Sequence, residues 1–528
     1  MWTNRVRASI GVLFALSLLE KASAANSSDA EAACSAISDR YPGQVATSAL
    51  NLNFTLASDY TEARTDYWSA ANADVEPSCI FFPGSANDVA YAVQVLNNHT
   101  SAAWAVKGGG HNPNVGFSST DGGVLIAMQN MATTTLDDDN NAHVGAGSSW
   151  EDAQTTLDPY GRAVVGGRIG EVGVAGYTLG GGLSFLSGQY GLAADAVKNF
   201  EIITAEGEVT NANSTSNSDL FYAMKGGGGQ FAIVTTYVLQ TYPIGQVWGG
   251  HRVYTLDKKD QVLSATHNLT GNYHDDKAAV IVTFTTTLDD LIDIFLIFYY
   301  YNDPTGPGSI LDEFLAIDYL IDETSSNRVF GELLKANDFF SLKGQRYLIR
   351  EGTLPNLPGS NGTDLYHHAF SSWFDLAKKY QTEAIDNFIF NMAFQPIPHQ
   401  LVEASQNTGN GGNRLGLDPS TGDHFFIEYD ASWLLSSSDS DAADYITNMT
   451  QPAQDYAKST YAGVPPTNYQ SGDVDFTNYN PVFMNDAMYN QDPLRSYGDE
   501  TYERLRQIHN ERDPNGLFDR TGGFKFTE

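Results

Sequence analysis

The sequence predicts an α+β fold, in which a two-part first domain precedes a domain built on an antiparallel sheet covered by helices. A β-α-β pattern opens the first domain: apolar residues 79–83, an amphipathic helix over 89–96 that starts near Ser85, and apolar residues 104–106. Between residues 122 and 246, short apolar strands are separated by glycines, without a regular alternation with helices. Beyond residue 247 the apolar runs are longer, which is typical of antiparallel strands with helices on one face.

Apolar runs indicate where most strands and helices lie. In the first domain they predict strands at residues 124–128, 143–146, 200–204 and 231–239. In the second domain they predict strands at residues 279–285, 294–301, 388–395 and 424–433, and helices at 310–321 and 371–379. A last helix is predicted over residues 500–510, with Asp499 as its cap.

The 528-residue chain divides into five segments. Residues 1–24 are typical of a secretory signal peptide, because Arg5 and Arg7 precede an apolar run and Ala22-Ser23-Ala24 fits a cleavage site. That apolar run is too short to span a bilayer, so we expect a secreted protein. The other segments are an N-terminal segment (25–75), the first domain (76–246), the second domain (247–455) and a C-terminal segment (456–528) that packs back on the first domain.

Charge restricts the possible partners. The chain has 29 basic and 63 acidic residues, a formal net charge of -34. Its field repels polyanions, which argues against nucleic acid and anionic membranes as partners. A small-molecule partner and a monomeric state are expected. No C-x-x-C or H-E-x-x-H motif is present, and the adjacent His367 and His368 would point apart in an extended segment, so no metal site is expected.

Two features agree with a secretory route. Cys34 and Cys79 are the only cysteines, and in an oxidising compartment the simplest arrangement is one disulfide between them. Seven N-x-S/T sequons predict a glycoprotein. They lie at Asn26, Asn53, Asn98, Asn213, Asn268, Asn361 and Asn448.

Four glycine-rich segments follow one another along the first domain. They are Lys107–His111, Gly145–Trp150, Gly173–Gly182 and Lys225–Phe231. Glycines let the backbone approach a ligand closely, and His111 adds an imidazole that can act as a nucleophile or a base. A single glycine-rich turn before a histidine is usually only a turn, but four suggest one extended ligand. The motifs of P-loop, Rossmann and serine hydrolase sites are absent.

This ordered set resembles the flavin-linked oxidases of the vanillyl-alcohol oxidase superfamily, and more narrowly the berberine-bridge-enzyme-like group. The resemblance extends from Cys79 to the C-terminus. Its most specific parts are residues 107–111, 173–195, 219–234, Asn468-Tyr469 and 513–518. It implies a two-part FAD-binding domain of the PCMH type at 76–246 and a substrate-binding domain at 247–455.

The resemblance implies FAD bound covalently through His111 only. In the family this histidine bonds the 8α-methyl carbon of the flavin, and many members add a cysteine bond at a position that is Ile169 here. Val172 matches a position that controls oxygen access, and its small side chain favours an oxidase. The residues implied to contact FAD are Lys107, Gly108, Gly109, Gly110, His111, Gly147, Ser148, Val172, Gly173, Gly176, Gly180, Gly181, Gly182 and Ile233.

Four residues are candidates for catalysis. Tyr469 matches a family tyrosine that serves as base, although a phenol needs a nearby positive or hydrogen-bonding group for that role. Gln395 lies where relatives place a catalytic acid or a substrate contact, so it orients substrate or is a polar residue at the edge of the core. Glu428 shares one strand face with Asp430. Tyr177 replaces a family histidine.

The resemblance implies an oxidase that moves hydride from a substrate to flavin and electrons to O2, with release of hydrogen peroxide. A small-molecule alcohol or amine of the secondary-metabolite kind is the expected substrate, because the second flavin bond common among sugar oxidases is absent. An oligosaccharide oxidase that acts on the anomeric hydroxyl is the first alternative. A flavin-containing cyclase or binding protein without net oxidation is the second.

Overall fold

The computed structural model describes residues 28–48, 54–287, 292–472, 474 and 481–527. The predicted signal peptide and the sequons at Asn26 and Asn53 lie outside these ranges. No helix within them is long and apolar enough to cross a membrane.

The first domain opens with a four-stranded sheet in the order β1-β2-β4-β3. Its strands are β1 (Val45–Ala46), β2 (Cys79–Phe81), β3 (Trp104–Lys107) and β4 (Val124–Ala127). β2 and β3 both pair in parallel with β4, and the helix Ala86–Asn98 connects them. The Ser85 side chain accepts a hydrogen bond from the backbone N–H of Asp88 and caps this helix. The β-α-β prediction is confirmed.

The N-terminal segment packs beside this sheet. Its helices span residues 28–40, Phe54–Thr65 and Ala70–Ala73. Cys34 forms a disulfide with Cys79, with the two Cα atoms 6.0 Å apart, which confirms the predicted bond and ties the first helix to β2.

Replacing Cys79 by Ser is expected to lower the free energy of unfolding by about 4 kcal/mol, because the bond closes a loop of 45 residues. Chemical denaturation of the wild type and of Cys79→Ser measures this difference. Cys34→Ser should lose as much stability, and reduced wild type should match both variants. A Cys79→Ser protein as stable as the oxidised wild type would contradict the prediction.

The second half of the first domain is an antiparallel sheet in the order β5-β6-β10-β8-β9, with β7 on the end of β10. Its strands are β5 (Thr134–Leu136), β6 (Asn141–Gly145), β7 (Arg162–Val164), β8 (Val197–Ile203), β9 (Val209–Asn213) and β10 (Ile233–Pro243). Its helices are Trp150–Leu157, Val174–Leu179, Ser187–Tyr190 and Ser218–Met224.

The second domain contains an antiparallel sheet in the order β14-β11-β13-β12-β17-β18-β16, with β15 also paired to β11. Its strands are β11 (Val247–Thr255), β12 (Ala278–Thr286), β13 (Asp293–Tyr301), β14 (Ile321–Asp322), β15 (Ser325–Arg328), β16 (Arg346–Pro355), β17 (Ile389–Ile397) and β18 (His424–Trp433). The helices Lys259–Gly271, Gly359–Glu383 and Asp439–Tyr461 share an apolar core with one face of this sheet. The opposite face is turned toward the first domain. The other helices are Asp312–Leu315, Phe330–Asn337 and His399–Gln406.

Two local predictions for the second domain are wrong. The helix predicted over 310–321 is a single turn, Asp312–Leu315, because the following residues pair with the edge of β11, where Asp322 binds Arg252 at 2.7 Å. His367 and His368 lie in the helix Gly359–Glu383 instead of an extended segment. The His368 ring stacks on Tyr456.

The C-terminal segment contacts the first domain. Its helices are Pro493–Ser496 and Asp499–Arg512, and Arg512 binds the carboxylate of Asp219 with two hydrogen bonds of 2.7 Å. The Trp104 indole donates to the Leu517 carbonyl. The predicted cap Asp499 is in the first turn of its helix, and Gly498 occupies the cap position.

Candidate functional site

A cavity of about 810 Å³ lies between the glycine-rich segments of the first domain and the open face of the second-domain sheet. Of the residues predicted from the sequence, it is lined by Gly108, Gly109, Gly110, His111, Val172, Gly173, Gly176, Tyr177, Gly180, Ile233 and Glu428. Ile169, at the position where many family members have the cysteine that bonds the flavin, also lines the cavity and has no thiol.

Glycine residues form the wall of the cavity on the side of the first domain. A Cβ atom on Gly109 would lie 2.6 Å from the Gly173 backbone, so the two loops touch back to back. A Cβ on Gly176 would meet nothing within 4 Å. Arg168 is the only Lys or Arg among the described lining residues, so a phosphate group held along this wall would depend on backbone N–H groups.

His111 lies at the end of the glycine turn, where Gly110 has a φ of 67°. The imidazole stacks on the Trp68 indole with 4.6 Å between ring centroids, and its Nε2 lies 3.3 Å from the Ser341 hydroxyl. Burial, together with the Lys343 ammonium, lowers the pKa of His111 to about 4. The ring is therefore neutral at physiological pH and keeps a nucleophilic lone pair.

The sheet supplies the opposite wall. Glu428 and Asp430, two residues apart on β18, both line the cavity, so their shared face is the one turned to the first domain. The neighbouring strand β17 adds Asn391, which is paired with Asp430. This side of the sheet is polar and acidic.

Gln395, Arg168 and Asp486 form one hydrogen-bonded network beside the acidic pair Glu428 and Asp430. Gln395 is fully buried and does not line the cavity. Its Oε1 accepts a hydrogen bond from Arg168, and its Nε2 donates to Asp486 at 2.8 Å. Arg168 and Asp486 both line the cavity. Gln395 therefore holds two charged side chains at the wall.

Burial dominates the titration of these carboxyl groups. Desolvation and the negative charges of Asp430 and Asp486 raise the pKa of Glu428 well above its usual range. Desolvation and Asp486 raise the pKa of Asp430 to about 8, and desolvation raises the pKa of Asp486 to about 6 against the opposing effects of Gln395 and Arg168. Because Arg168 is the only Lys or Arg among the cavity-lining residues that the structure describes, the cluster retains protons at neutral pH.

Several predicted FAD contacts lie behind the cavity wall. Lys107 is buried, and its ammonium donates to the carbonyls of Ala63 and Asp66, so it anchors the N-terminal segment; desolvation lowers its pKa to about 8. The others do not line the cavity either. They are Gly147, Ser148, Gly181 and Gly182.

The structure does not bring Tyr469 to the cavity. Its hydroxyl donates to the Gly472 carbonyl at 3.0 Å in an exposed turn, and it is absent from the described lining residues. Assigning the base to Tyr469 is therefore a misassignment from the motif. Tyr177 does line the cavity, but its hydroxyl donates to the Leu183 carbonyl and burial raises its pKa, which makes it a poor base.

The cavity fits FAD on two observations. The glycine wall leaves space that side chains would otherwise fill. Two polar atoms of cavity-lining residues, Ser118 Oγ and Gln230 Oε1, are buried and have no hydrogen-bond partner among the described residues. Such atoms are expected where a polar ligand completes a site. No group of three metal-ligating side chains occurs in the described part of the chain.

Comparison with known proteins agrees with this geometry. The FAD binding domain family matches residues 77–213. An FAD-linked oxidoreductase of Arthroderma benhamiae is 33% identical over 475 residues, which cover 89% of this chain and 91% of the relative. This chain belongs to the FAD-linked oxidoreductases. The FAD-dependent monooxygenase sdcF of Emericella nidulans is 32% identical to the present chain over 476 residues, which cover 88% of this chain and 94% of that relative.

The fold is shared with solved FAD-containing oxidases. The glucooligosaccharide oxidase of Acremonium strictum superposes on this chain with a TM-score of 0.65 at 18% identity. The match covers 85% of this chain and 92% of the glucooligosaccharide oxidase. The expected family, α+β fold and FAD-dependent enzyme class are confirmed.

Sequence reasoning missed several cavity residues, among them Arg168, Asp486 and Trp68. Arg168 and Asp486 are 318 positions apart in the sequence, and Gln395 binds both. Trp68 comes from the N-terminal segment, for which no role was predicted. The position of Arg168, one residue before Ile169 in the segment matched to the family bond, was the only available signal.

Proposed function

We propose that this protein is a secreted FAD-dependent oxidase that takes a hydride from a small-molecule alcohol or amine and releases hydrogen peroxide. The observation that best supports this proposal is that the glycine wall, His111 and the Glu428–Asp430 pair all line one cavity. When bound, FAD accepts the hydride and passes the electrons to O2. The proposed signal peptide and the disulfide support secretion.

The Glu428–Asp430 pair is the proposed base. Desolvation raises the pKa of both carboxyl groups, Asp430 also raises that of Glu428 by repulsion, and a hydrogen bond from Glu428 lowers that of Asp430. The pair therefore shares one proton and one negative charge as a unit. The charged carboxylate takes the proton of the substrate hydroxyl or ammonium. Arg168 lowers the pKa of Glu428 and so favours the ionised form of that member.

His111 is the proposed covalent link, and the only one. Its ring lines the cavity and is neutral, and both cysteines of the chain are joined in the disulfide. In the glucooligosaccharide oxidase the FAD is described as 6-S-cysteinyl, 8α-N1-histidyl. We infer the histidyl bond alone for this chain.

The wall beside the acidic pair supports a small molecule with an apolar body. On β11 to β13 and the loop after the helix Phe330–Asn337, the lining side chains are mostly aliphatic or aromatic. They are Val253, Ile281, Ile294, Leu296, Phe298, Phe339, Phe340 and Leu342. Sugars need hydrogen-bonding partners along their whole length, which this wall offers poorly. An oligosaccharide oxidase is the second candidate, favoured by the fold match to the glucooligosaccharide oxidase.

A peroxide-coupled screen of the purified secreted protein against alcohols, amines and oligosaccharides tests the proposal. We expect peroxide with an apolar alcohol or amine and little with sugars. Peroxide only with sugars would select the second candidate. Bound flavin without peroxide from any class would favour a cyclase or binding protein.

The pH dependence of flavin reduction follows from the acidic pair. A carboxyl group is a base only when ionised, and burial raises the pKa of Asp430 to about 8. The rate constant should therefore rise about tenfold per pH unit below the pKa of the pair and level off above it. Anaerobic stopped-flow measurements with the substrate found in the screen give this profile. A rate already constant from about pH 5 upward would contradict a base with a raised pKa.

A further inference from the structure

The His111 ring is held by three residues from outside its own loop. Trp68 covers one face with 4.6 Å between centroids. The Ser341 hydroxyl lies 3.3 Å from Nε2, and Glu171 Oε1 lies 3.9 Å from the same atom. Because these residues come from three separate segments, the orientation of the imidazole is fixed by the tertiary fold.

Glu171 has one oxygen left for the imidazole. Its Oε2 lies 3.5 Å from the Lys343 ammonium, and its backbone N–H donates to Asp338 at 2.9 Å. Its Oε1 is buried and has no hydrogen-bond partner among the described residues. A buried carboxylate oxygen without a hydrogen-bond partner lowers the stability of the fold, so we expect Glu171 Oε1 to have a function beside Nε2.

The position of these acceptors selects one tautomer of His111. A neutral imidazole carries a single ring proton. Of the two oxygens beside Nε2, the Glu171 carboxylate can only accept and the Ser341 hydroxyl can also accept, so we assign the proton to Nε2 and the lone pair to Nδ1. The atom free to bond carbon is Nδ1.

We propose that Glu171 is the proton acceptor for covalent flavin attachment, and that Ser341 and Trp68 are positioning residues that present Nδ1 of His111. The inference rests on the proposed His111 bond. In the net reaction a C–H bond of the 8α-methyl group breaks and a carbon–Nδ1 bond forms. The two electrons lost by that carbon go to O2, which leaves as hydrogen peroxide with the methyl proton and the Nε2 proton. Glu171 takes the Nε2 proton as the new bond makes that proton acidic.

The test measures attachment and not turnover. Wild type and variants are prepared with their flavin depleted and are then incubated with FAD in air. Samples are denatured at intervals, and the flavin fluorescence that stays with the polypeptide in a gel gives the attachment rate. Glu171→Gln keeps the size of the side chain and removes its basicity, so attachment should slow by about 10²-fold. Ser341→Ala should slow it by roughly 2- to 10-fold, the value of one neutral hydrogen bond.

Glu151→Gln is the matched control. Glu151 Oε2 is also buried and has no hydrogen-bond partner among the described residues, but it lies 3.6 Å from the Lys335 ammonium and not beside His111, so attachment should be as fast as in the wild type. Attachment at the wild-type rate in Glu171→Gln would overturn the inference. If that variant does not fold, a wild-type rate in Ser341→Ala overturns it instead. Absence of covalent flavin in the wild type would refute the His111 bond itself, which is a different failure.

Discussion

Replacing both carboxyl groups of the acidic pair, in Glu428→Gln with Asp430→Asn, is expected to slow flavin reduction by about 10²-fold or more. The two amides keep the size and the hydrogen-bonding capacity of the wall but cannot accept a proton, and a positioned base contributes on this scale. Flavin content should not change, because FAD is proposed to be held by the first domain. Anaerobic stopped-flow separates reduction from reoxidation and measures the effect directly.

Two further variants make this result specific. Glu403→Gln makes the same chemical change on an exposed helix and should reduce at the wild-type rate. Tyr469→Phe should also do so, because the Tyr469 hydroxyl binds the Gly472 carbonyl outside the cavity. A slow Tyr469→Phe together with a fast double variant would return the base to the C-terminal segment.

Replacing His111 by Ala is expected to abolish covalent flavin completely. The glycine wall remains, so FAD should still bind but should leave the protein on acid precipitation. The absorbance of the pellet and of the supernatant measures the two fractions. His143→Ala, at a partly exposed ring paired with Asp137, is the matched control and should retain its yellow pellet. Flavin that stays with the pellet in His111→Ala would place the bond elsewhere.

Local patterns predicted the parts of the fold that local interactions determine. The helix Ala86–Asn98 has its cap and apolar face in the sequence, and β18 has its alternation, so both were found near their observed bounds. The helix expected at 310–321 was not formed, because the free edge of β11 offered backbone pairing that periodicity does not reveal. Competition from tertiary pairing is invisible in a short window of sequence.

The candidate site was predictable where one segment supplied it. The Gly108–His111 turn and the Glu428–Asp430 face lie within single loops or strands, and the structure places both at the cavity. Gln395 was noticed, but its role in joining Arg168 to Asp486 depends on three distant segments. Tyr469 was misassigned because a motif match carries no information on where a side chain points.

The most direct test of the account follows the fate of O2. With isotopically labelled O2 and the substrate found in the screen, the oxidase account predicts one labelled hydrogen peroxide for each substrate oxidised and no label in the organic product. This distinction matters because the relative from Emericella nidulans is named a monooxygenase. Label in the organic product, with peroxide well below one equivalent, would contradict the proposed oxidase.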